Sequence, residues 1–147
     1  MDSVSAPVSE ADAWSDRAGW LALIARHARL FEGWVDGAAI GFVPRAAADA
    51  GTGTMLAWAR HGSDMRVEQR RFGGFSDCSV AALFVAEPDV LEQVHARLHD
   101  NALGAMKLQL RQGGMLLYVL APKAQLLDDG YEDFLEALGL AFMGACR

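Results

Sequence analysis

Cysteine is scarce in this sequence, and its scarcity excludes two classes of small cross-linked protein. Only Cys78 and Cys146 occur in 147 residues. Two distant thiols cannot build a disulfide framework or a four-ligand zinc site on their own. A chain of this length can bury a core without such cross-links. We therefore expect both thiols to be reduced, as in a cytoplasmic protein.

Long hydrophobic runs are missing as well. No segment approaches the ~20 apolar residues that span a bilayer, so we predict no membrane insertion. The opening MDSVSAPVSEADAW lacks the basic and apolar regions of a signal peptide, which predicts a cytoplasmic location. Residues 1–8 are small and polar and are expected to be frayed.

Positive charge is in deficit. The net charge is −6 and the isoelectric point is near 5.1. Proteins that bind nucleic acid gain much of their affinity by neutralising phosphates, so this balance argues against a nucleic-acid partner. The length and composition predict one globular domain spanning residues 1–147.

The patterns that are present predict an α+β fold. We expect an antiparallel sheet of five to six strands flanked by three helices, in the order α-βββ(β)-α-ββ-α. Its centre is the stretch 106–121, MKLQLRQGGMLLYVLA. Residues 106–111 alternate between apolar and polar side chains, as a half-buried strand does. Gly113-Gly114 suits a tight hairpin turn, and residues 115–121 would form an inner strand.

Weaker patterns fill in the rest of the sheet. Residues 54–60 and 64–71 predict a hairpin around His61-Gly62-Ser63, and residues 79–86 predict a short apolar strand. Residues 35–43 form a weak strand candidate because two glycines dilute it. Residues 45–53, rich in Ala and Gly, predict a mobile loop.

The first predicted helix, within residues 14–32, is apolar over an unusually wide arc. One stripe continues through Ile24 and Phe31, and a second carries Trp20, Leu23 and Leu30. Such a helix is either deeply buried or shared with another chain. The second reading predicts a homodimer and a partner-binding surface on Trp20, Leu23 and Leu30.

Two arginines extend the predicted partner-binding surface onto the hairpin. Arg66 and Arg70 belong to a basic concentration with Arg60 and Arg71. This stripe could hold an acidic partner segment or an anion. A wet strand face balanced by Glu68 and Asp64 is the alternative interpretation.

Glu92, His95 and His99 form the one candidate metal site. They fall on one flank of the second predicted helix, and two histidines four residues apart can reach the same ion. The alternative is a solvated helix flank. The sequence offers no convincing nucleophile, so we predict no catalytic residues and no cofactor.

Three segments in order carry a resemblance to a known family: VLEQVHARLHDNAL, GAMKLQLRQGGMLLYVLAP and YEDFLEALGLAFMG. Read as helix, hairpin and helix, this block resembles the CesT-like class I chaperones of type III secretion. The resemblance implies a dimeric, non-catalytic protein that holds an extended segment of a secreted partner along apolar surface.

Three functions follow from these observations. The first is a small acidic protein-binding module of the chaperone type. The alternative is a ligand- or cofactor-binding sensory or regulatory domain, with a pocket beneath residues 45–53 lined by Trp58, Phe72 and Phe84. The third is a small metal-dependent enzyme that uses His95 and His99.

Overall fold

A computed structural model of the protein describes residues 12–140, which form one five-stranded sheet with helices on both of its faces. Residues 1–8 and Cys146 lie outside the described residues. The strands are β1 (Ala39–Pro44), β2 (Gly53–His61), β3 (Asp64–Phe72), β4 (Ala82–Ala86) and β5 (Met115–Val119). The helices are α1 (Arg17–Arg26), α2 (Arg45–Ala50), α3 (Pro88–His95), α4 (Ala102–Gln112), α5 (Lys123–Asp128) and α6 (Glu132–Ala137). Short 3₁₀ turns occupy Ala28–Leu30 and Phe75–Asp77.

The sheet is mixed, so the prediction of a fully antiparallel sheet is wrong. The strand order is β3-β2-β1-β4-β5, and β1 pairs in parallel with β4 while every other neighbouring pair is antiparallel. After the β1-β2-β3 meander, the chain crosses back to the free edge of β1. It then runs in the same direction as β1 and forms β4. The predicted count of five to six strands is confirmed at five.

The predicted central hairpin is also wrong, because its first half is helix α4. Met106 and Ala102 are buried four residues apart on one helical face, while Leu108 is exposed. The apparent alternation of residues 106–111 is therefore a coincidence of spacing. Asn101 caps the helix by accepting a hydrogen bond from Gly104 N–H, and Gly113 ends it with φ +85°.

Two further segments differ from expectation. Residues 45–53 are not a mobile loop, because α2 forms directly after Pro44 and ends at Gly51 in the left-handed conformation. The weak candidate 35–43 contains most of β1, an inner strand that is buried along most of its length.

Six helices are described where three were predicted. The hairpin β2–β3 is confirmed with its turn at residues 62–63.

The larger core lies on the sheet face that α1, α3, α4 and α6 cover. Trp58 of β2 sits at its centre, with ring centroids 5.7 Å from Trp20, 5.1 Å from Phe42 and 6.0 Å from Phe134. A smaller cluster on the opposite face includes Met55, Phe72 and Leu83. Because both faces are buried, the inner strands β1 and β4 are apolar throughout.

Candidate functional site

The main candidate site is a cleft between α1 and the β2–β3 hairpin, which we term the α1–hairpin cleft. Its volume is about 630 Å³. Its apolar lining comes from Leu21, Ile24, Ala25, Ala28, Phe31 and Met65. Ile24 and Phe31 are buried and form the floor, whereas Leu21 stays 39% exposed at the mouth. A concave, mostly apolar surface of this size can hold a small molecule.

Arg60 supplies the buried polar group of the α1–hairpin cleft. Its guanidinium donates from Nε to Trp34 O at 3.2 Å, from Nη1 to Ser63 O at 2.9 Å and from Nη2 to Phe31 O. Arg60 as a whole is only 9% exposed. Arg60 thereby ties the turn after α1 to the hairpin and fixes the distance between the two walls.

The rim of the cleft carries one exposed cation and two exposed carboxylates. Arg66 and Asp64 come from β3, and Glu32 comes from the segment that follows the 3₁₀ turn Ala28–Leu30. Together with the Arg60 charge, the cleft has two positive and two negative groups. The cleft therefore has no strong net field of either sign.

Helix α1 forms one wall of the cleft, and Asp16 holds its first turn by an N-cap hydrogen bond and a hydrogen bond to α3. Asp16 Oδ1 accepts a hydrogen bond from Gly19 N–H at 3.0 Å, and Asp16 Oδ2 lies 2.8 Å from His95 Nε2. Burial raises the pKa of Asp16, but the hydrogen bonds from His95 and Gly19 and the charges of His95 and His99 outweigh it. The pKa of Asp16 therefore lies below its ordinary value of 3.8.

This lowered pKa predicts an acid-sensitive contribution to stability. Since Asp16 has a lower pKa in the folded than in the unfolded state, its contribution is full above 3.8 and is lost as pH falls through the folded-state pKa. Asp16→Asn keeps a capping oxygen but removes the charge. We expect the free-energy gap between wild type and Asp16→Asn, measured by urea unfolding, to be larger at neutral pH than at about pH 3. An unchanged gap would contradict this assignment.

The structure places the predicted partner-binding side chains of the first helix in the protein's own core. Trp20 and Leu23 are fully buried, and the Trp20 indole donates to Ala13 O at 2.7 Å. Leu30 is half-buried and packs against the same core. The exposed apolar residue of α1 is instead Leu21, so the wide apolar arc mainly serves folding.

Arg66 and Arg70, the two arginines of the predicted partner-binding surface, have different surroundings. Arg70 pairs with Glu68, with Nε and Oε2 2.7 Å apart, and also donates to Ser79 Oγ at 3.1 Å. Arg66 is exposed and lines the α1–hairpin cleft. Binding of a partner by either arginine stays a prediction.

The proposed metal ligands are not gathered into a site. Glu92 and His95 lie in α3, but the helix ends at His95 and His99 falls in the turn that follows. Within residues 12–140, no group of three or more His, Cys, Asp or Glu side chains is placed to hold a metal ion. The geometry therefore gives the metal-dependent enzyme no support, and elemental analysis of the purified protein would test it.

The pocket predicted from Trp58, Phe72 and Phe84 does not form. Trp58 and Phe84 belong to the larger core, whereas Phe72 belongs to the cluster on the opposite sheet face. All three side chains are fully buried. Since Phe72 lies on the opposite face of the sheet from Trp58 and Phe84, the three rings cannot line one cavity.

Two other cavities have more polar surroundings than the α1–hairpin cleft. A cavity of about 840 Å³ lies at the turn 27–32 and α6, and its lining includes Arg26, Arg29, Asp133 and Glu136. One of about 470 Å³ lies at the ends of β1, β4 and β5 and includes Asp36, Ser79, Gln125 and Asp129. Size alone would favour the first, but none of its lining residues is buried, whereas Ile24 and Phe31 give the α1–hairpin cleft a buried apolar floor.

Sequence reasoning missed the cleft because its walls are distant in the chain. Leu21 and Met65 are separated by more than forty residues, and each reads as an ordinary apolar position. Arg60 offered the one local signal, because an arginine on the apolar alternation of 54–60 needs buried partners.

Comparisons with known proteins found similar solved structures but no similar sequence. No protein-family model and no curated protein sequence matches this chain. A solved structure of a UbiJ-SCP2 ubiquinone synthesis protein is similar over 95% of this chain and 96% of its own, with 16% identity and a TM-score of 0.42. A conserved hypothetical protein from Thermus thermophilus, described as possibly a sterol carrier protein, is similar over 88% of this chain and 84% of its own. Its identity is 13% and its TM-score is 0.40.

The resemblance to type III secretion chaperones is wrong, together with the chaperone function drawn from it. The block on which the resemblance rested is not helix, hairpin and helix, since residues 106–111 belong to α4. Neither similar structure is described as such a chaperone. Within residues 12–140, no helix is long and apolar enough to cross a membrane. The homodimer and the cytoplasmic location stay predictions.

Proposed function

We propose that this protein binds a small, largely apolar molecule in the α1–hairpin cleft. The carrying observation is the cleft itself, which has about 630 Å³ of space over an apolar floor of Ile24 and Phe31. Pockets for small molecules span roughly 300–1,000 Å³ and combine apolar walls with a few polar groups. Arg60 supplies such a group. The proposal retains the ligand-binding alternative but moves its site from the pocket beneath residues 45–53 to the α1–hairpin cleft.

The apolar mouth of the cleft supports the same proposal. Leu21 remains 39% exposed although Trp20, Leu23 and Ile24 of the same helix are buried. A ligand that covers the remaining exposed surface of Leu21 would gain about 1 kcal/mol, since full burial of a leucine gives about 1.5–3 kcal/mol. Half-buried Met65 lies on the hairpin wall, and its flexible thioether side chain can adapt to different apolar shapes.

Binding of N-phenylnaphthylamine, an uncharged dye that brightens in apolar surroundings, tests the proposal. We expect saturable binding by the wild-type chain, and weakening of at least about tenfold by Leu21→Glu, because a carboxylate at the mouth must lose water when the dye binds. Leu127→Glu is the matched control, since Leu127 is 37% exposed but lies on α5, away from the cleft. It should leave dye affinity unchanged.

Two results would contradict the proposal. One is the absence of saturable binding to the wild-type protein. The other is an equal loss of affinity in the Leu21→Glu and Leu127→Glu variants, which would mean that the dye responds to net charge and not to the cleft. Thermal unfolding of both variants confirms that each is folded during the titration.

A further inference from the structure

We infer that the molecule held in the α1–hairpin cleft presents a neutral hydrogen-bond acceptor, such as a ketone or ester carbonyl, to Arg60. This inference rests on the proposed function and specifies the chemistry of its ligand. It starts from the hydrogen bonds that Arg60 leaves unmade. A guanidinium has five N–H donors, and the three carbonyls of Phe31, Trp34 and Ser63 use three of them.

The two remaining N–H donors of Arg60 are on Nη1 and Nη2, which each make one of the three hydrogen bonds. Arg60 is 9% exposed and lines the cleft, and it forms no ion pair with any residue in the range 12–140. Hydrogen bonds to charged groups are worth about 1.5–3 kcal/mol. A ligand oxygen that accepts from Arg60 would gain such a bond, whereas a purely apolar ligand that covers the cleft would leave the two donors without a partner.

A ligand head that only donates hydrogen bonds gains nothing from Arg60, since a guanidinium carries no acceptor. An ammonium head would also lie near the positive charges of Arg60 and Arg66, whereas Glu32 and Asp64 are exposed to water at the rim.

The charges at the rim favour a neutral acceptor over an anion. Glu32 and Asp64 offset the positive charges of Arg60 and Arg66, so the cleft offers no surplus of positive charge. A carboxylate head would gain from Arg60 but would lie near two like charges. A carbonyl oxygen gains the hydrogen bond without that repulsion.

Competition against bound N-phenylnaphthylamine tests this inference with three ligands that share one alkyl chain length and differ in their heads. They are a methyl ketone, an alkylammonium and an alkylcarboxylate. We expect the ketone to displace the dye at a concentration at least about tenfold lower than either charged ligand, since an unpaired buried polar group discriminates strongly. The unchanged chain is used because Arg60 also holds three carbonyls, and replacing it could unfold the protein.

Arg71→Gln is the matched control, because Arg71 is an exposed arginine of the same strand β3 that does not line the cleft. This variant should keep the preference for the ketone. Equal displacement by all three ligands, tighter binding of a charged one, or loss of the preference in Arg71→Gln would overturn the inference while leaving the proposed function intact. If the dye itself fails to bind the wild-type protein and none of the three ligands binds, both fail.

Discussion

Gly130→Ala should destabilise the protein by about 4 kcal/mol or more, a loss that marks a severe local conflict. Gly130 has φ +89°, and a Cβ at this position would overlap the Gly33 carbonyl and lie 2.9 Å from Trp34 N. The obstacle is backbone, which cannot move aside like a flexible side chain. The substitution would push the turn at residues 129–131 away from the turn at residues 33–35, where Val35 N donates to Asp129 O at 3.1 Å.

Gly113→Ala is the matched control for Gly130→Ala. Gly113 has a similar φ of +85°, but nothing lies within 4 Å of the position that its Cβ would take. Gly113→Ala therefore incurs only the cost of placing alanine in the left-handed conformation, about 1–2 kcal/mol. Urea unfolding of both variants should separate the two costs. Equal losses would show that the two turns do not approach each other as described.

Tyr131→Phe should cost about 1–3 kcal/mol, although it removes a single oxygen atom. The Tyr131 hydroxyl accepts a hydrogen bond from Ala39 N–H at 2.7 Å and donates to Ala39 O at 3.2 Å. Ala39 begins the inner strand β1 and is fully buried. Phenylalanine would leave the buried Ala39 N–H without the acceptor that Tyr131 supplies. Burial raises the pKa of the Tyr131 phenol, in spite of the bond from Ala39.

Tyr118→Phe provides the comparison for Tyr131→Phe. Tyr118 is exposed on β5, and its hydroxyl makes no hydrogen bond to another residue in the described part of the chain. We expect a change within about 0.5 kcal/mol for this surface substitution. A stability loss of the same size in both variants, measured by chemical denaturation, would contradict the role assigned to the Ala39–Tyr131 pair.

The hairpin β2–β3 was predictable because its signals are local. Polar and apolar residues alternate along 64–71, and Gly62 takes the positive φ that the turn requires. Helix α4 was missed although its ends carried equally local signals, namely Asn101 at the N-cap and Gly113 after the C-terminus. The alternation of residues 106–111 outweighed those caps, since a short apolar pattern fits a strand and a helix face alike.

Features set by distant contacts could not be read from the chain. Gly41 belongs to the inner strand β1, and Met55 fills the space that a side chain at this position would need. The sequence alone shows only a glycine, which weakens a predicted strand. The parallel pairing of β1 with β4 requires the chain to cross back past β2 and β1 after it leaves β3. The α1–hairpin cleft likewise exists only once α1 packs beside β3, so no local pattern marked its residues.

The most direct test of ligand binding in the α1–hairpin cleft is an amide NMR titration with the methyl ketone. We expect the shifted resonances to cluster at Leu21, Ala25, Ala28 and Met65, with Arg60 among them. Residues around the more polar cavity near Ser79 and Gln125 should stay unchanged. Shifts centred on that second cavity, or no saturable shifts at all, would contradict the assignment of the site.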